Sequence, residues 1–142
     1  MSIKDEMVGK FSAIMDRYIT ELERVSAILN RRYANAINAV ESGRLFYEMD
    51  RIGDRYGSMP RELAGVITRL QRRGDAVDWK APPEDLATLQ EAETLLYQLI
   101  NYPVTQEENA WYESLARMAG NTICIHCMTV RANDLNGRTG PL

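Results

Sequence analysis

The sequence predicts an all-α fold, an antiparallel bundle of four to five helices with a long N-terminal helix. Three observations predict it. Val8, Phe11, Met15, Tyr18, Leu22, Val25 and Leu29 follow one another at alternating steps of three and four. That seven-residue repeat seats one side of a helix on other helices. Proline is absent before Pro60, and later segments repeat the helical spacing between clear stop signals. At 142 residues, the chain is also long enough to bury one core without disulfides or metal.

The first helix starts at Ser2, a good N-cap, with Asp5 and Glu6 in the first turn where the helix dipole favours acids. It is expected to run to about Glu41, where Ser42-Gly43 offers a stop. Arg17, Glu21, Arg24 and Arg31 form a charged row along its outer side. The seam weakens after Leu29, where Arg32 takes a core position and Ala36 and Ala39 replace large residues. Ile14, Ile19 and Ile28 broaden the stripe, which suits a bundle core better than an isolated coiled coil. A helix this long leaves part of its stripe uncovered in a small monomer, and a homodimer is expected on that ground.

A second helix is expected over Arg44–Tyr56, with Leu45, Phe46, Met49 and Ile52 inward and Gly57-Ser58 as the turn. A third runs from Pro60, tolerated in a first turn, to Arg73, with Leu63, Val66, Ile67 and Leu70 inward and Gly74 as its stop. Residues 75–83 form the clearest loop. The fourth helix extends to about Asn101 with Leu86, Leu89, Leu96 and Ile100 inward, and Tyr102-Pro103 breaks it. Thr105 and Glu108 make a capping box for the last helix, whose buried face is Trp111, Leu115 and Met118. The stretch after Gly120 has strand-like composition but lacks a partner strand, so a continued helix to about Arg131 is expected. Residues 1–134 are expected to form a single domain and 135–142 a flexible tail.

Composition narrows the function classes. Apolar and charged fractions of 45% and 26% are those of a soluble globule. No apolar run is long enough to span a membrane, and the N-terminus has acids where a signal peptide needs bases; a cytoplasmic protein is expected. Net charge is −3, unevenly spread: residues 44–80 carry +2 and residues 81–118 carry −6. The basic side chains are fourteen Arg and three Lys, a bias that suits interfaces and bidentate pairing. Nucleic-acid binding wants a stronger basic excess with interleaved aromatics and is not favoured.

Four constellations are candidates for chemistry. Cys124, His126 and Cys127 are the only cluster of soft ligands, and zinc is the metal they would suit. A structural zinc wants four ligands, however, and the chain has no other Cys or His; buried thiols in a core are the plainer expectation. The thioredoxin-type Cys-x-x-Cys needs a strand-then-helix context that an all-helical chain lacks. Arg117 precedes His126 by nine positions, too far for the Arg-x(4–6)-His motif of HEPN-type ribonucleases. Asp50 and Asp54 stand one turn apart near Glu48, but the second acidic pair of helical nucleotide pyrophosphatases is absent. Arg69, Arg72 and Arg73, together with Arg31 and Arg32, are candidate grips for a partner or a phosphate. Trp79, Tyr97, Tyr102 and Tyr112 are candidate interface anchors.

These observations point to a non-enzymatic protein that binds a protein partner through helical surfaces: an adaptor, assembly factor or inhibitor with no cofactor. Its size and composition resemble those of small helical proteins that phages and mobile elements encode against host machinery, although no motif carries that resemblance. The alternatives are a binder or enzyme for phosphate-bearing ligands, using the arginines or the Asp50/Asp54 pair, and a zinc-stabilised bundle.

Overall fold

The computed structural model describes residues 2–74 and 79–119. Those residues form five helices and no strand: α1 (Ile3–Ala34), α2 (Ala39–Tyr56), α3 (Met59–Arg72), α4 (Pro83–Ile100) and α5 (Gln106–Ala119). The all-helical architecture with a long first helix is as the periodicity predicts. No helix among them is long and apolar enough to cross a membrane.

The first helix ends seven residues earlier than expected, at Ala34. The cause is a cap that the sequence carries in Asn38 and Glu41. The Asn38 Oδ1 accepts the Glu41 backbone N–H at 2.9 Å, and the Glu41 carboxylate reaches back to the Ile37 N–H at 3.3 Å. This is a capping box shifted by one residue, and it starts a new helix where a continuous one was expected. Ser42 and Gly43 therefore lie inside α2 and stop nothing. Arg31 and Arg32 occupy the last turn of α1, where the dipole favours cations.

The helices fall into two compact units. The first comprises residues 1–21 and 56–101. Phe11 and Tyr18 of α1 enter its core with Met59, Leu63, Val66 and Leu70 of α3 and Leu89, Ala92, Leu96 and Leu99 of α4. The α3 core face is the one its spacing predicts. On α4 the buried row is Asp85, Leu89, Ala92, Leu96 and Leu99, flanked by Leu95. Leu86 and Ile100, expected inward, are exposed because they share a row with Gln90, Glu93 and Tyr97. The Tyr18 hydroxyl donates to the Tyr56 carbonyl at 2.6 Å, and burial pushes its ionisation far above the usual phenol range. Tyr56 in turn donates to the Gln98 Oε1 at 3.0 Å, so both buried hydroxyls are satisfied.

Among the described residues, the second unit comprises 22–55 and 102–119. Leu22, Val25, Ala27, Ile28 and Leu29 of α1 are buried, as are Ile52 of α2 and Tyr112 and Leu115 of α5. Val104, Trp111, Ala116 and Ala119 pack against the cluster of Ala27, Ile28, Tyr112 and Leu115. Leu115 is buried as expected and Trp111 packs against the cluster, but Met118 is exposed and Tyr112 is buried in addition. Glu23, in this unit, is 1% exposed, and neither carboxylate oxygen has a hydrogen-bond partner. Burial alone raises its pKa from 4.5 to about 7.

Candidate functional site: an arginine-lined cleft and the exposed face of α2

The candidate site is built at the end of α1, the start of α2 and the entry to α5. Arg31, Arg32, Asn35, Glu41, Arg44, Leu45, Thr105, Glu107 and Glu108 line an open cleft of about 450 Å³. That volume falls within the range of small-ligand sites.

Local rules place each wall. The capping box of α5 forms as the sequence predicts: Glu108 N–H donates to the Thr105 hydroxyl at 3.0 Å, and Thr105 N–H to the Glu108 carboxylate at 2.8 Å. Arg32, in the weakened part of the seam, then closes on Glu108. Its Nε and Nη2 donate to the two carboxylate oxygens at 2.5 and 2.7 Å, and Nη2 also reaches the Pro103 carbonyl at 3.1 Å. This fork-on-fork pair, led by the Arg32 hydrogen bond, holds the Glu108 pKa down at about 2. Arg31 lies over the Trp111 ring at 4.7 Å. Its Nη1 is buried and has no hydrogen-bond partner. Arg44 is exposed.

A second set of bonds ties α2 to the segment that leads into α5. Glu48 accepts from Arg51 at 2.6 Å and from the Tyr102 hydroxyl at 2.7 Å. Burial and that hydrogen bond push Tyr102 up to about 12. The outer face of α2 has no such cover. Ile37, Val40, Phe46 and Tyr47 are 86%, 71%, 55% and 69% exposed. Phe46, expected inward, stands against the Tyr33 ring, tilted, at 6.4 Å between centroids. A side chain built at Gly43, between them, would stand in open space.

The arginines named from sequence divide between the units. Arg31 and Arg32 line the cleft. Arg69, Arg72 and Arg73 belong to the first unit. Arg69 pairs with Asp85, a carboxylate only 3% exposed, at 2.8 Å. Arg72 and Arg73 are exposed, and the Arg73 carbonyl accepts the Lys4 ammonium at 2.7 Å. Asp50 and Asp54 line a shallow depression with Tyr47, Arg51 and Arg55. Among the described residues, no three His, Cys, Asp or Glu side chains are grouped to hold a metal. Cys124, His126 and Cys127, and with them the zinc reading, the expected helix to Arg131 and the tail, lie outside the described residues. Neither a family model, nor a curated protein, nor a solved structure matches the chain.

Sequence reasoning missed Arg44, Glu41 and the outward face of α2. The signal was present: Asn38-x-x-Glu41 marks a helix start, and from there Val40, Arg44 and Tyr47 fall on one side at steps of four and three.

Proposed function

We propose that this is a non-enzymatic binding protein that recognises another protein through the outer face of α2. One observation carries the reading. Within the eleven residues from Ile37 to Tyr47, four large apolar side chains are more than half exposed on one helix and its lead-in turn. Single exposed apolar residues are ordinary on a surface, but a clustered group rimmed by charge marks an interaction site. Aromatic side chains and arginine are also the residue types that dominate binding energy at protein interfaces. The charged side chains beside this face support binding over bond-making: Glu108, Arg32 and Glu41 hold one another or helix ends.

Burial along α1 supports a different protein as the partner over a second copy of this chain. Phe11, Tyr18, Leu22, Val25 and Leu29 are all buried within a single chain. The partner is therefore proposed to be a different protein. Capture from the source cells with wild type and with Val40→Asp tests this. Val40 is 71% exposed, so the substitution leaves the fold intact. The expected result is a protein retained by wild type and lost by V40D. An identical set retained by both overturns the reading.

A further inference from the structure

We propose that the cleft is a carboxylate subsite, in which Arg31 and Arg44 clamp the side chain of an acidic residue on the protein that docks on α2. The source of the carboxylate rests on that docking reading; the subsite itself does not.

Arg32 is consumed by Glu108 and the Pro103 carbonyl. Glu108 is consumed by Arg32 and Thr105, one oxygen of Glu41 accepts the Ile37 N–H, and Glu107 is exposed. Arg31 lies over the Trp111 ring, and its buried Nη1 lacks an acceptor among the described residues. Arg44 forms no hydrogen bond or ion pair among the described residues. Two guanidinium groups with spare donors thus line one concavity. A guanidinium carries five N–H donors in a planar fork that matches a carboxylate, so the Arg31 nitrogens that line the cleft can take one.

Charge selects the kind of anion. Three arginines and three glutamates line the cleft, and they sum to zero. A carboxylate adds one negative charge. A phosphate dianion adds two beside Glu41, Glu107 and Glu108, and the like-charge repulsion grows accordingly. Position selects the source. Arg44 follows Val40 by four residues and precedes Tyr47 by three, so it stands in the same row as those two exposed side chains. A segment lying on that row brings any acidic residue it carries to the mouth of the cleft.

The test follows the arginine side-chain Nε–H signals of the full chain by NMR during titration with N-acetylglutamate amide, then with inorganic phosphate. Arg31 and Arg44 are expected to shift saturably with a midpoint of order 10 mM, as one isolated ion pair gives, while exposed Arg72 and Arg73 stay still. Arg44→Gln, at an exposed position, is expected to remove the response of Arg31. Equal, non-saturating shifts at all four arginines overturn the subsite. Tighter binding of phosphate than of the glutamate mimic overturns the choice of carboxylate. A saturable response alongside capture that Val40→Asp leaves unchanged overturns the protein source and separates that failure from failure of the subsite.

Discussion

Replacing Glu23 with Gln should make the protein more stable at neutral pH, and the gain should vanish in mild acid. The carboxyl is 1% exposed, its two oxygens have no hydrogen-bond partner, and burial raises its pKa from 4.5 to about 7. A carboxyl raised in the folded state adds its full stability below the unfolded pKa and loses it as pH climbs through the folded one. At about 1.36 kcal/mol per pH unit, the rise corresponds to about 3 kcal/mol between pH 4.5 and pH 7. Glutamine removes the charge but still buries an amide without a partner, which costs about 1–3 kcal/mol. That cost is shared with the protonated acid, so it cancels to first order. Urea titrations followed by helical circular dichroism at a series of pH values measure the difference. The expected outcome is E23Q ahead of wild type by roughly 2–3 kcal/mol at about pH 8 and level with it at about pH 4. Wild-type stability that is flat or rising from about pH 5 to pH 7, or an E23Q variant weakened at about pH 8, refutes the reasoning.

Other consequences are equally specific. Glu108 has the opposite sign: its pKa is lowered to about 2, so its contribution is present above 4.5 and lost as pH falls from there to about 2. Glu108→Gln should remove most of the acid limb of the stability curve, about 2–3 kcal/mol, in the same titrations, and an unchanged acid limb counts against the Arg32 pair. Arg69→Ala should cost roughly 1–2 kcal/mol by stranding buried Asp85, whereas Arg72→Ala should stay within about 0.5 kcal/mol of wild type. Equal melting temperatures for these two variants contradict the pairing. Gly43→Ala, mid-helix and facing open space, should stabilise by about 0.5–1 kcal/mol; a loss would mean that the face is already covered.

How much the sequence revealed depended on how local the determining physics was. The α1 seam, the α3 face and the Thr105/Glu108 box were legible because periodicity and capping are decided within one or two turns. The end of α1 was not, because Asn38 competes with an alanine-rich stretch that favours continuing, and only the shifted cap decides between them. On α4, Leu89 and Leu96 were legible but Leu86 and Ile100 were misplaced, since Ala92 and Asp85 look like surface residues until Arg69 satisfies the carboxylate. Arg31 and Arg32 were legible as candidates from charge alone. Their separate duties were not, because Glu108 and Trp111, which set them, lie more than seventy residues along the chain.

The most direct test of the binding reading is site-specific photo-cross-linking in the source cells. A benzophenone amino acid replaces Tyr47 on the exposed face of α2, or Glu93 on the exposed row of α4. The account predicts a discrete product with a different protein from position 47 and none from position 93. A product of twice 16.2 kDa, the same product from both positions, or no product at position 47 would contradict it.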